Sequence, residues 1–157
     1  MKRLGVLWLL LLVVVVGAYA QTNYAIYRTS KDEMTGDMFQ YYVLYGTNGG
    51  WIMVKHNVKE KDTFTVGVAG AGYLVEDTVK VWLKYDDGKI IKTVLPVSNT
   101  HGGFFINGVI GQKFIDNIYD KKKLIIRVFV PYDSPVTFVF DLTSLQRTVK
   151  EYPIIDK

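Results

Sequence analysis

Apolar and polar positions alternate along most of this chain, most densely in two adjoining runs. In residues 124–130, Leu124, Ile126, Val128 and Val130 stand against Ile125, Arg127 and Phe129; residues 136–141 repeat the pattern after Pro131-Tyr132-Asp133-Ser134-Pro135. A period of two sends successive side chains to opposite faces of a strand. Both faces of 124–130 are mostly apolar, so this run reads as a buried central strand with Arg127 as its one charge. The hairpin it forms with 136–141 is expected to be the central pair of the fold.

The cleanest alternation is over 79–86. Val79, Val81, Leu83 and Tyr85 face one way, and Lys80, Trp82, Lys84 and Asp86 the other. Asp87-Gly88 then turns the chain into a partner strand over 89–95, as Asp-Gly suits the tight turns of hairpins. The same logic places strands at 24–30, 38–47, 51–57 and 63–69, and a short one at 104–107. Asn48-Gly49-Gly50 joins the second of these to the third. Gly70-Ala71-Gly72 reads as a bend and not as a phosphate loop, because neither a helix nor a Lys-Ser/Thr pair follows it.

Two segments depart from this period. Phe114, Ile115, Ile118 and Tyr119 recur at helical spacing and predict a helix over 112–122, with Lys121-Lys122-Lys123 at the end that suits cations. Leu142, Leu145, Val149 and Tyr152 predict a second, capped by Thr143 or Ser144 and closed by Pro153. The expected fold is mostly β: an antiparallel β-sandwich or flattened barrel of about nine strands, with one internal and one C-terminal short helix.

The first twenty residues are patterned differently. Lys2 and Arg3 precede an unbroken apolar run over 4–16, and Gly17-Ala18-Tyr19-Ala20 places small residues at the −3 and −1 positions. This is the form of a secretory signal peptide cleaved after Ala20; the run is short for a membrane span of about 20 residues. The expectation is a single domain over 21–157, periplasmic or secreted, meeting the membrane only through its leader before cleavage. The chain contains no Cys. An exported domain of this kind has no disulfide framework, thiol chemistry or cysteine metal site, and must be held by packing and strand pairing. With Lys2 and Arg3 set aside, 19 Lys and Arg become 17 against 15 Asp and Glu. That near balance excludes the basic footprint of a nucleic-acid binder.

Candidate chemistry is sparse. His56 and His101 are the only histidines, and neither has carboxylates at the spacing a metal site needs. They read as one exposed and one loop residue. Asp86-Asp87 is a turn signal and not a catalytic pair, since adjacent strand residues face apart. The serines show no nucleophile-elbow pattern. No catalytic, metal or cofactor site emerges. Arg127, charged within a buried strand, is expected to form a structural ion pair with Asp141, or with Asp87 across the sheet. The candidate binding surface is Lys80, Trp82 and Lys84, where a tryptophan between lysines suits a sugar ring or an anionic surface. The preferred reading nevertheless packs Trp82 under the second sheet or the helix, since tryptophan is highly buried on average.

Several of these residues resemble a known pattern. Val79-Lys-Val-Trp-Leu-Lys-Tyr-Asp-Asp-Gly88 resembles a V-x-x-R-x-D-D-G strand and turn. Ser98, Phe104, Phe114-Ile115, Leu124-x-x-Arg127-x-x-x-Pro131-Tyr132 and Thr137-Phe-x-Phe-Asp-Leu142-x-x-Leu145 follow in the order seen in periplasmic type VI secretion-associated proteins of the VasI/TagO-like kind. Ser30, Met34-Thr35, the 51–54 strand, Phe64-x-Val66 and Tyr73-Leu74 lie on the same pattern. The resemblance covers most of residues 21–157. It departs at Lys55-His56, where that family tends to have Arg-Cys, and in lacking a preceding cysteine-containing segment. It implies an envelope β-sandwich of an accessory type, without an enzymatic site. The expected function is therefore a non-catalytic envelope or secreted accessory protein, partnered by another envelope protein. The alternative is a glycan- or lipid-binding module, and a secreted hydrolase ranks third.

Overall fold

The computed structural model describes residues 24–59 and 64–153. The leader and its expected cleavage point after Ala20 lie outside them, as does Thr63, the expected start of the fourth strand.

Among the described residues, nine strands form two open antiparallel sheets. β1 (Ala25–Lys31), β2 (Met38–Tyr45), β3 (Trp51–Asn57), β4 (Phe64–Ala69) and β7 (Gly103–Ile106) make the first, in that spatial order. The second has the order β6 (Ile91–Pro96), β5 (Thr78–Tyr85), β8 (Lys123–Phe129), β9 (Val136–Asp141). The mostly-β, two-sheet architecture thus follows the alternation. The expected central pair does not: β8 is internal, but β9 is an edge strand and β5 is the other neighbour of β8. A hairpin pairs locally, whereas strand order depends on which distant strand takes the remaining edge.

The inward side chains form one core. Val81, Leu83, Leu124, Ile126, Val128, Phe138 and Phe140 from the four-stranded sheet join Leu44, Ile52, Val54, Val68 and Phe104 from the other, all buried. Each such side chain contributes about 1.5–3 kcal/mol through burial, which is how the domain holds together without cross-links.

Two helices dock on this frame. α1 (Gly108–Asp120) follows β7 and buries Gly111, Phe114, Ile115 and Ile118. It starts earlier than expected, and Gly111 explains the close approach: a Cβ there would lie 2.8 Å from the Ile106 carbonyl oxygen. Tyr119, expected on the apolar face, is exposed. α2 (Leu142–Glu151) is capped by neither Thr143 nor Ser144. The Asp141 carboxylate caps it, accepting from the Thr143 backbone N–H at 2.9 Å and the Thr143 hydroxyl at 2.6 Å. Asp141 ends β9 and so lies where a capping acceptor must be, one residue before the first turn.

The β2–β3 turn joins the two sheets. Asn48 takes a positive φ of 56°, and Gly46 N–H donates to the Gly50 carbonyl at 2.8 Å. The turn lies along the free edge of β9: Val139 N–H donates to Thr47 Oγ1 at 2.9 Å, and Asn48 Nδ2 donates to the Thr137 carbonyl at 2.7 Å. Glycine is required for this approach. A Cβ on Gly46 would lie 2.6 Å from the Phe140 ring, and one on Gly50 would overlap Phe138.

Candidate functional site

Trp82 stands on the outer side of β5, because Val81 and Leu83 occupy the inner side. It is half-buried, but neither the second sheet nor a helix covers it, which overturns the packed reading. Register sets it between Lys92 on β6 and Arg127 on β8. The Lys92 ammonium sits 4.7 Å from its ring centroid, and the Phe129 ring packs against it at 4.8 Å. Lys80 and Lys84 flank it along the strand, so the three residues expected to share a face do share it. Sequence reading missed Lys92 and Phe129, whose places depend on the pairing of separate strands.

Arg127 belongs to this surface too. β8 is central, yet Arg127 is exposed on its outer side. Its Nε donates to Thr137 Oγ1 at 3.1 Å, and Thr137 is its cross-strand partner. Asp141 pairs instead with Lys123. Those pairs are four residues apart along the strand, about 13 Å, so the register rules out the expected Arg127–Asp141 ion pair. Asp87 is exposed in the β5–β6 turn, while Asp86 has a structural task. Its carboxylate accepts from the backbone N–H groups of Lys122 at 3.1 Å and Lys123 at 2.9 Å, tying that turn to the start of β8.

The outer side of the five-stranded sheet has a different chemistry. Ile26, Val43, Met53, Gly67 and Phe105 lie side by side in register across all five strands. In the next row Tyr45, Trp51, Ala69 and Gly103 are aligned, with Tyr24 stacked on Tyr45 at 4.6 Å. No charge interrupts these two rows. Trp51, Met53, Gly67 and Phe105 line a groove of about 280 Å³ that Ser98 and Thr100 border. Gly67 forms its floor: a Cβ there would meet only the Phe105 ring, at 3.9 Å.

The histidines serve the scaffold. His56, expected to be exposed, is 1% exposed because it continues the inward series of Ile52 and Val54. Its Nδ1 lies 3.2 Å from Gln40 Oε1, and its ring stacks on Phe64 at 4.9 Å. Gln40 Nε2 donates to the Tyr27 hydroxyl and the Pro153 carbonyl, both at 3.2 Å. The Tyr42 hydroxyl donates to the Tyr152 carbonyl at 2.8 Å, and burial pushes its pKa well up. This network anchors the end of α2 on the five-stranded sheet. His101 lies in the loop before β7 with a positive φ of 54°, its Nδ1 2.6 Å from the Leu74 carbonyl oxygen. Among the described residues, no three His, Asp or Glu side chains gather where a metal ion could sit.

The chain matches no family model, no curated protein and no solved structure.

Proposed function

We propose that the domain is a non-catalytic accessory protein that works by contact with another protein, through the outer side of its five-stranded sheet. The leader-like residues 1–20 and the resemblance to periplasmic secretion-associated proteins support placing it in the cell envelope or outside the cell.

One observation carries the contact reading: two adjoining rows of an outward-facing sheet surface hold no charge. A solvated sheet face normally alternates toward polar residues, and an extended apolar patch rimmed by polar ones marks an interaction surface. A protein is the occupant proposed because these two rows themselves are uncharged, Lys55 and Arg28 standing in the row beyond. The groove floored by Gly67 and walled by Trp51, Met53 and Phe105 suits an inserted apolar side chain. Buried aromatic and methionine contacts dominate such interfaces.

Gly67 provides a selective test. Valine at this position has room and suits a strand, so Gly67→Val is expected to raise stability by about 0.5–1 kcal/mol. It also fills the groove. A photo-crosslinking residue at Met53, irradiated in intact cells, should yield a heterologous adduct that Gly67→Val abolishes. Recovery of monomer alone sinks the reading, and a homodimer reassigns the face to self-association.

A further inference from the structure

The outer side of the four-stranded sheet alternates in two dimensions, a pattern visible in no single strand. Register sets Val94, Lys80 and Phe129 in one row across β6, β5 and β8, and Lys92, Trp82 and Arg127 in the next but one. Lys84 pairs with Ile125 in the third, and Ile90 joins them with Trp82 and Arg127 around a shallow depression. The result is a checkerboard. Four cations occupy the middles of the sides, four apolar residues the corners, and Trp82 the centre. Neighbours are about 5 Å apart across strands and about 7 Å apart along them.

Every polar group on these nine positions is a donor, four of them cationic and the fifth the Trp82 indole N–H; no acid, amide or hydroxyl is among them. Glu76 borders the Lys80 end, outside the grid.

We propose that this face docks on a bilayer surface carrying anionic phospholipid headgroups. It goes beyond the protein-contact reading and does not depend on it. It also departs from the expectation that the chain meets the membrane only through its leader.

Three features select this occupant. Charge complementarity comes first, since headgroup phosphates only accept hydrogen bonds and these four side chains only donate. A sugar's hydroxyls would call for acceptors, which the grid lacks. Second, the corners include aliphatic residues that stand out from the sheet, Ile90 at 51% and Val94 at 57% exposure. Such side chains offer a sugar ring no stacking face, but they fit the boundary between headgroups and acyl chains. Third, the cations spread over three strands in two directions, which matches a surface better than the single track of a linear polyanion. Tryptophan prefers the membrane interface, and long lysine stems let the charge reach a phosphate while apolar neighbours settle beside it.

The test is vesicle sedimentation of the full chain. Vesicles of equal parts phosphatidylglycerol and phosphatidylcholine are compared with phosphatidylcholine alone, at low and high salt. Every variant keeps the same N terminus, so any contribution from residues 1–20 cancels. The expected result is stronger binding to the anionic vesicles than to the neutral ones, an excess that salt weakens. Each of Lys80→Gln, Lys84→Gln, Lys92→Gln and Arg127→Gln should weaken it about fivefold, and the quadruple variant several hundredfold. Trp82→Phe should remove the part of the emission shift that anionic lipid adds over neutral lipid, while an unchanged melting temperature reports an intact fold.

Equal binding to both vesicle types, or undiminished binding by a folded quadruple variant, overturns the proposal. So does competition by glycerol phosphate at low concentration, which would mean an isolated anion pocket. Preference for polygalacturonate or an acidic protein over vesicles would overturn it in favour of a soluble polyanion. None of these outcomes bears on the Met53 crosslink.

Discussion

Met53 and Trp82 hold equivalent places in the two sheets: each faces outward from a strand whose inward residues belong to the shared core. The row of Met53 and the row of Trp51 beside it run without a charge across the sheet, and Lys55 is the one cation next to Met53 along its strand. Around Trp82 every nearest position along and across the strands is a cation. The inner surfaces of the sheets are alike because one core has to be filled at crystal-like density. The outer surfaces carry no such duty. Their divergence shows that the fold constrains one side of each strand and leaves the other free to vary in chemistry.

The β2–β3 turn is where this comparison is easiest to break. Gly50→Val forces a side chain into Phe138 and should destabilise the domain by about 3 kcal/mol, a drop of several degrees in melting temperature. Both surfaces should fail together, since the turn couples the sheets that carry them. Loss of one activity alone would mean the sheets are independent.

A reciprocal pair of surface variants sharpens the contrast. Lys84→Glu with Lys92→Glu should abolish sedimentation with anionic vesicles and leave the Met53 crosslink intact. Phe105→Ser should do the opposite. If either variant impairs both assays while circular dichroism is unchanged, the two faces serve one ligand.

Arg127→Met tests a smaller effect. Arg127 is exposed and its side-chain bond goes to Thr137, so unfolding free energy in urea should change by less than about 0.5 kcal/mol. A larger loss would restore a structural role for the charge.

Acid should produce the smallest change, in the β1–β2 turn. In the β1–β2 turn the Asp32 carboxylate accepts from the Met34 and Thr35 backbone N–H groups, each at 2.8 Å, and these bonds lower its pKa. Asp37 is lowered by Lys59, 2.6 Å away, and by Thr35. A carboxylate whose folded pKa is depressed stabilises the fold above its unfolded value and stops doing so as pH falls through the folded value. The amide resonances of Thr35 and Gly36 should therefore shift below the unfolded carboxylate value of 3.8.

Most strands were legible because alternation is local: 51–57 matches β3 residue for residue, and 136–141 matches β9. What the pattern left out depends on distance along the chain. The edge position of β9 follows from β5 pairing with β8, some forty residues away. Phe129 reaches Trp82 through the same pairing, whereas Lys92 comes from the local β5–β6 hairpin, whose strands were legible but whose register was not. His56 was readable, since Ile52 and Val54 already set its direction; its polarity obscured a period that the backbone kept. Arg127 misled for the converse reason. A strand apolar on both faces suggested a buried charge, whereas Ile125 and Phe129 beside it are themselves only half-buried on an outer surface.

The turn along β9 has a further consequence. A bare edge strand such as Val136–Asp141 can template the strand of a second molecule, and then a third. Here two of the groups that would recruit it, Val139 N–H and the Thr137 carbonyl, are held by Thr47 and Asn48. The covering of this edge thus rests partly on two absent methyl groups, at Gly46 and Gly50, that let this turn reach it first.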